Sequence, residues 1–395
     1  MYHHPSQLRI ANVRRAFRTL LAKGPCSRAE LARTIGLSAV TAGKVVDGML
    51  ADGLVLEVEE RAAAVGEPAA MGRPPRMVGL SPAVRMLAVE IGAVESSVRA
   101  LSLADAARAD LDEPLNGDRA PVRFATPSGQ ARFVAELERA ASTIGLDRPA
   151  AVLVSVPGVL GADGTEIVFS PNLRWTGGRE LLPRIAERLD APLCAVQEIQ
   201  ALALGHLAVE AVDSFVLVDF GDGVGGAVVT GGQLLHGPQP LCGEIGHTAV
   251  FGNRRRCGCG AVGCLETLVS RGGVLQSFRS ARRRPRATWQ ECMRHVAARG
   301  VEAWLAPSID AAATVIAGAL NLVGATELVL TGDLPALHPD LVDALERRVQ
   351  EHALVGRFAR LGVRLAPRRR MLGLVAAAAD RLLLPEPAMP AARPA

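Results

Sequence analysis

Four residues able to hold a metal ion crowd one stretch of this 395-residue chain: His247, Cys257, Cys259 and Cys264. Three thiolates and one imidazole make a closed four-ligand set, which suits a tetrahedral structural Zn²⁺ and leaves no open position for chemistry. Gly258, Gly260 and Gly263 separate the sulfurs, as a backbone bending tightly around an ion requires. Two carboxylates, Glu244 and Glu266, bracket the cluster and are placed to face whatever the metal organises. The alternative is a disulfide with a spare thiol. Cys-x-Cys is a poor disulfide spacing, and the start Met1-Tyr2-His3-His4-Pro5 has no apolar signal core, so a metal in a reduced, cytoplasmic protein is expected.

A second region is electrostatic. Residues 1–56 carry eight basic side chains against three acidic ones, a net +5 beside +4 for the whole chain. A localised basic end is the footprint of binding to phosphate backbones. The elements that would position it follow from pattern. Val13, Phe17, Leu20 and Leu21 fit one face of a first helix. Ser27-Arg28-Ala29-Glu30 has the capping-box form, and the helix it begins turns Leu31 and Ile35 inward and stops at Gly36. Ser38 caps a third helix carrying Val40, Val46, Met49 and Leu50, and residues 54–58 read as the strand of a wing. This is a winged helix-turn-helix. Ser38, Ala39, Thr41, Ala42, Lys44 and Val45 are expected on the face that enters the major groove of double-stranded DNA. Their short side chains favour methyl contacts to thymine over bidentate base contacts. In the linker that follows, Gly72-Arg73-Pro74 is placed to lay Arg73 into a narrow minor groove.

The rest of the chain is globular in composition, 49% hydrophobic and 21% charged, and long enough for two or three domains. Aromatics, at 3%, are too scarce for single-strand stacking platforms. No apolar run approaches the roughly 20 residues of a membrane helix, so no membrane partner is expected. From Met86, strand-like runs at 86–91, 98–103, 150–156, 214–219, 227–230 and 327–331 alternate with helical stretches at 131–144, 178–190, 198–207 and 309–322. That grammar is α/β, with ligands held at strand ends. The turn Gly221-Asp222-Gly223-Val224-Gly225-Gly226 has enough glycine for its amides to cradle a phosphate, though a ligand-free hairpin reads the same.

Gly243-Glu244-Ile245-Gly246-His247 followed by Cys257-x-Cys259-x4-Cys264-Leu265-Glu266 resembles the signature of the ROK family (repressor, open reading frame, kinase), a group of sugar kinases and sugar-responsive repressors. Ser155-Val156-Pro157-Gly158, Ser170–Trp175 and the turn at 221–226 are weaker matches. The resemblance implies a two-lobed actin-like ATPase (ribonuclease H-like) α/β fold preceded by an α+β winged helix-turn-helix domain. It divides the chain into a DNA-binding domain at 1–60, a linker at 61–80, a first lobe at 81–190, and a second lobe at 191–384 whose C-terminal helix returns to the first. A disordered tail at 385–395 completes it. By resemblance His247, Cys257, Cys259 and Cys264 hold a structural zinc. Glu244, His247 and Glu266 face a sugar's hydroxyls, joined by Asn172 from the first lobe. Gln197 and Glu198 stand where the family's Asn and Asp grip those hydroxyls.

Departures from the kinase members decide the expected function. Where the family's first phosphate loop resembles Asp-x-Gly-Gly-Thr, this chain has Glu90, Gly92, Ala93 and Val94, then Glu95. Asp222 replaces a residue that is usually Thr, and the catalytic base position holds Glu198, one methylene longer than Asp. Displacing a catalytic group by about 1 Å can cost on the order of 100-fold in rate. The expectation is no enzyme activity. The chain is read instead as a homodimeric, or dimer-of-dimers, regulator of carbohydrate-related genes. Operator DNA and a carbohydrate or phosphosugar effector are its expected partners, and repression the expected sign. An ATP-dependent sugar kinase with a DNA-binding head, and a regulator controlled by a protein partner, are the competing readings. The runs Arg254–Arg256 and Arg282–Arg284 read as solvated loops.

Overall fold

The structure, a computed structural model, describes residues 5–58, 76–108, 120–171, 173–210, 212–237 and 241–384. Arg73, Asn172 and the tail from 385 lie outside the described residues. The chain divides into two compact units, residues 1–210 with 369–395, and residues 211–368.

The first unit opens with α1 (Pro5–Lys23), β1 (Cys26–Ser27), α2 (Arg28–Ile35), α3 (Ala39–Ala51), β2 (Val55–Val58) and β3 (Met77–Leu80). Local chemistry sets these boundaries. Ser27 Oγ accepts from Glu30 N–H at 3.2 Å, and Ser38 Oγ accepts from Thr41 N–H at 3.2 Å. Gly36 ends α2 in the left-handed conformation, φ 64°, which only glycine enters without a Cβ penalty. Strands β1, β3 and β2 form an antiparallel wing. The winged helix-turn-helix expected from the sequence is therefore present.

Its helices do not form an isolated core. Phe17, Leu20, Val46 and Met49 belong to a buried cluster that continues through Leu101, Leu153 and Val196 to Leu374 and Val375. That cluster covers one face of a five-stranded sheet built from β4 (Arg85–Glu90), β5 (Glu95–Ser102), β6 (Val122–Ala125), β7 (Val152–Val156) and a later strand. A short helix, α4 (Leu103–Ala106), follows β5; α5 (Gln130–Ile144) follows β6; a two-stranded ribbon, β8 (Val159–Leu160) and β9 (Ile167–Phe169), follows β7. Then come α6 (Leu181–Arg188), β10 (Leu193–Gln197) and α7 (Glu198–Val209). Alternation along β4 assigns the two faces: Met86 and Ala88 join the head-side cluster, while Leu87 and Val89 pack with Phe133 and Ile185 on the other side. The order is β10-β7-β4-β5-β6, with β10, β7 and β4 parallel and β4-β5-β6 an antiparallel meander.

The second unit repeats this topology. After β11 (Phe215–Phe220), β12 (Val224–Thr230) and β13 (Gln233–Leu234), a helical insertion carries α8 (Glu266–Val269), α9 (Arg271–Arg282), α10 (Trp289–Arg299) and α11 (Ala306–Val323). Then follow β14 (Glu327–Gly332), α12 (Asp333–Ala336), α13 (Pro339–His352) and β15 (Gly362–Leu365). Its sheet runs β13-β12-β11-β14-β15, again a meander joined to two parallel strands. The stretch Ala303–Val323, mean hydropathy 1.4, is long and apolar enough by composition to cross a membrane, an exception to the reading that no such run exists. Half of that window is buried, and Ile309, Ala312, Ile316 and Leu320 are fully buried in the unit's core, which accounts for the composition. The chain finally returns to the first unit through α14 (Arg370–Ala378), continued by a π-helical turn at Ala379–Leu383. Helix α14 packs along α7 with Gly373 against Ala201 and Gly205 against Arg369.

Candidate functional site

The four proposed metal ligands converge. One donor atom from each of His247, Cys257, Cys259 and Cys264 lies within 4.8 Å of every other. The His247 Nδ1 to Cys257 Sγ separation is 3.6 Å, and Cys259 Sγ to Cys264 Sγ is 3.7 Å. Tetrahedral Zn²⁺ with Zn–S near 2.3 Å and Zn–N near 2.05 Å would set these edges at about 3.6 Å and about 3.8 Å, so the donor set fits. All seven cysteines are free, and the disulfide alternative is not formed. Burial pushes the Cys257 thiol up to about 12, a cost that a bound cation would offset by stabilising the thiolate.

Local packing fixes the knuckle. A Cβ on Gly243 would sit 2.0 Å from Gly226 O and one on Gly246 2.1 Å from Val224 O, so the Gly-Glu-Ile-Gly-His motif lies directly on β12. Bridges pair Ala249 with Cys264 and Arg256 with Val262. Arg255 is not a solvated loop residue, unlike exposed Arg254 and Arg256. Its guanidinium donates to the carbonyls of Thr267 and Gly273 and to Ser277 Oγ, at 2.7, 3.1 and 2.9 Å, and pins the knuckle to α8 and α9.

The carboxylates flanking the cluster are engaged differently. Glu244 Oε2 lies 3.7 Å from His247 Nε2, the ring nitrogen turned away from Cys257. Glu266 accepts from Val224 N–H at 3.0 Å and has its other oxygen 3.5 Å from Cys257 Sγ. It thereby ties the glycine turn to the cysteine cluster. Beside the same turn lies the guanidinium of Arg368, from the segment after β15, which donates bidentately to Asp219 at 2.7 and 3.0 Å, while Thr331 Oγ1 donates to Asp219 at 2.7 Å. Added Cβ atoms on Gly221 and Gly332 would fall 2.7 and 2.6 Å from the Arg368 guanidinium, which therefore fills the space between those turns. Asp222 is largely exposed and 3.3 Å from Arg271.

In the first unit, Glu90 ends β4 and Glu198 opens α7, and both accept from Arg370 at the start of α14. Glu90 also accepts from Ser97 at 2.9 Å and lies 3.6 Å from Arg99. Burial alone would push the Glu90 carboxyl up, but Arg370 and Arg99 hold it below its ordinary value. Gln197, beside Glu198, is buried. Glu95 is exposed and paired with Arg123 at 2.6 Å. Sequence reasoning missed Arg368 and Arg370. Their run, Arg368-Arg369-Arg370, is visible before an apolar helix, but nothing local names the acids they meet.

On the head, Ser38, Ala39, Thr41 and Lys44 are exposed as expected. Ala42 and Val45 are not available to DNA: they are 1% and 6% exposed, packed into the head with Val46 and Met49. Val40, expected inward, is 71% exposed and takes their place on the outer face.

A winged helix-turn-helix within the first of two units of one repeated topology, with a His–Cys₃ knuckle in the second, defines a winged head joined to an actin-like ATPase fold. The chain belongs to the ROK family, whose sequence profile matches residues 129–379. A crystal structure of a ROK family transcriptional regulator, a homolog of the Escherichia coli MLC protein, superposes with TM-score 0.70 at 20% identity, covering 94% of this chain and 96% of its own. A ROK family glucokinase from Streptomyces griseus in complex with glucose and AMPPNP gives TM-score 0.59 at 19% identity, covering 74% of this chain and 98% of its own. Among sequence relatives, N-acetylmannosamine kinase of E. coli O139:H28 is 36% identical over 126 residues, 31% of this chain and 43% of the kinase. The DNA-binding transcriptional dual regulator NagC of E. coli K12 is 24% identical over 264 residues, 66% of this chain and 62% of its own. The chain thus spans less than half of the kinase's length and under two thirds of the regulator's.

Proposed function

We propose that this protein is a zinc-containing, cytoplasmic transcriptional regulator that binds operator DNA and responds to a carbohydrate effector, with repression as its action. One observation carries the reading. The glucokinase covers 74% of this chain and the regulator 94%, a difference about the size of the winged head. That head presents Val40, Thr41 and Lys44 on the outer face of its second capped helix. Arg73 is the proposed minor-groove contact, drawn to the negative potential of a narrow groove.

Zinc at His247, Cys257, Cys259 and Cys264 supplies structure: it holds thiolates in place and orients the His247 ring. Taken separately, Glu244, His247 and Glu266 are the proposed effector contacts of the second unit, and Asn172, Gln197 and Glu198 those of the first. Acidic groups favour the hydroxyls of a neutral sugar over a phosphosugar. Loss of phosphoryl transfer is supported by the engagement of Glu198, the base position, with Arg370. Helix-turn-helix dimers read half-sites about 34–36 Å apart, and a homodimer or dimer of dimers is the form that satisfies this.

The test is genomic footprinting followed by operator binding in the presence of glucose, N-acetylmannosamine, N-acetylglucosamine and their 6-phosphates. Release of operator by one of these supports the reading. No specific site anywhere, or phosphorylation of a sugar with Mg-ATP, sinks it. The kinase alternative draws on the 36% match to the mannosamine kinase, and that phosphorylation assay decides it.

A further inference from the structure

Glu90 and Glu198 come from distant points of the chain yet share one guanidinium. Arg370 donates through one terminal nitrogen to Glu90 Oε1 at 2.8 Å and through the other to Glu198 Oε1. Glu90's second oxygen is taken by Ser97 at 2.9 Å and faces Arg99 at 3.6 Å. The three side chains are partly buried: Glu90 and Arg370 are each 23% exposed and Glu198 38%. Two carboxylates held together in partial burial repel strongly unless a cation lies between them.

The placement of that cation runs against local preference. Arg370 is the first residue of α14, and a positive charge at a helix N-terminus opposes the helix dipole. Glu198, first in α7, sits where the dipole favours it. An arginine there is retained against the field of its own helix, and the two acids supply the compensation. The side chains match in reach as well. Each acid is a glutamate, and the fork geometry of a guanidinium lets its two terminal nitrogens serve separate acceptors.

We propose that Arg370 is a built-in cation for the Glu90–Glu198 pair, occupying the place between these carboxylates that a divalent metal ion would otherwise take. The consequence is chemical. A divalent ion between two acids offers open positions to a phosphoryl oxygen and acts as a Lewis acid. A guanidinium neutralises and orients the same acids but coordinates nothing. Arg370 therefore converts a pair suited to metal-dependent group transfer into a fixed pair of acceptors. This inference is independent of which sugar or operator the protein recognises, and it concerns the first unit alone.

Removing the guanidinium exposes the latent site. In Arg370→Met full-length protein, Tm should fall by on the order of 5 °C, and millimolar Mn²⁺ or Mg²⁺ should restore most of it, with no comparable effect on wild type. Adding Glu198→Gln to Arg370→Met removes the like-charge pair, so Tm should recover without metal and the Mn²⁺ response should vanish. Should Arg370→Met prove insoluble, Arg370→Lys is read the same way. A single ammonium cannot serve both acids with fork geometry, so a smaller Mn²⁺ response is expected. Equal Mn²⁺ responses in wild type and variant, no response in either arginine variant, or a response that survives Glu198→Gln would each overturn the proposal. None of these outcomes depends on DNA or sugar binding, so failure here is distinct from failure of the regulatory reading.

Discussion

Asp380, in the turn that ends the C-terminal helix, accepts from Arg18 of the first helix at 2.7 Å, across 362 positions of sequence. Arg14 joins it, with Nε 3.3 Å from the same carboxylate and a terminal nitrogen donating to the Asp380 and Leu384 carbonyls at 3.1 and 3.3 Å. The winged head is thus fastened to the end of α14 by charge as well as by the shared apolar core. Asp380→Asn keeps the carbonyl contacts and removes the charge. The side chain is 28% exposed, so the expected loss is about 1 kcal/mol, a fall in Tm of about 2–4 °C. The gap to wild type should narrow in high salt. A gap unchanged between low and high salt would mean that charge is not the fastening.

The outer face of α3 predicts how DNA affinity responds to substitution. Lys44→Ala should weaken binding across all sequences and lower the salt slope by about 1, the signature of one lost phosphate contact. Val40→Ser should instead change which operator is preferred, because an exposed valine reads the thymine methyl. Ala42→Ser should behave as a core substitution, lowering Tm with no specific effect on the salt slope, since Ala42 is buried. Titration of operator at several salt concentrations separates the three.

The phase of α3 shows where sequence reading fails. Residues 39, 40, 42, 45 and 46 are all Ala or Val, so apolar periodicity fits more than one face. Packing against α1 and α2 selects 42, 45, 46 and 49. The caps at Ser27 and Ser38 and the stop at Gly36 were legible because their partners lie within a few residues. The His–Cys₃ cluster was legible for the same reason. Arg370 and Arg368 were not, since their acids lie 280 and 149 positions away and one arginine resembles another until the fold supplies its neighbour. Neither β10 nor β15 was read as a strand; their parallel pairing depends on partners far along the chain.

Close approach of α7 and α14 is set by glycine. A Cβ on Gly373 would lie 1.7 Å from Ala201 O, closer than any packing tolerates. Gly373→Ala must push the two helices apart, separating Arg370 from Glu198 as well as opening the core. Overpacking of this kind costs about 1–3 kcal/mol, occasionally more. Thermal unfolding checks it, and an unchanged Tm would show that the helices separate freely.

Acid should weaken the first unit through Glu90. Its folded carboxyl lies below its ordinary value, because Arg370 and Arg99 outweigh the upward push of burial. A depressed folded pKa adds stability above the unfolded value of about 4.3, and that contribution is lost as pH falls through the lower folded value. Glu90→Gln should therefore be less stable than wild type at neutral pH, with the gap closing below about pH 4. Paired thermal unfolding across that range checks the sign. A gap that grows on acidification would place the stabilising form on the protonated side.

Zinc removal tests the second unit. Cys257 and Cys264 are buried, and Arg255, Asn253 and two isolated bridges hold the chain around them. A bound cation would offset the mutual repulsion of three thiolates gathered there. Purified protein is expected to contain one zinc per chain by elemental analysis, and Cys259→Ser to contain none. A ligand bound a thousandfold above its dissociation constant contributes about 4 kcal/mol, so chelation should lower Tm by several degrees. Cys242→Ser, outside the cluster, should keep its zinc. The local consequence is sharper than the global one. Without zinc His247 loses its fixed ring, Glu266 loses its neighbour at Cys257, and the Val224 amide that Glu266 holds should exchange with solvent faster. Hydrogen exchange at 224–226 with and without chelator measures that directly, and equal protection in the two states would separate the glycine turn from the metal.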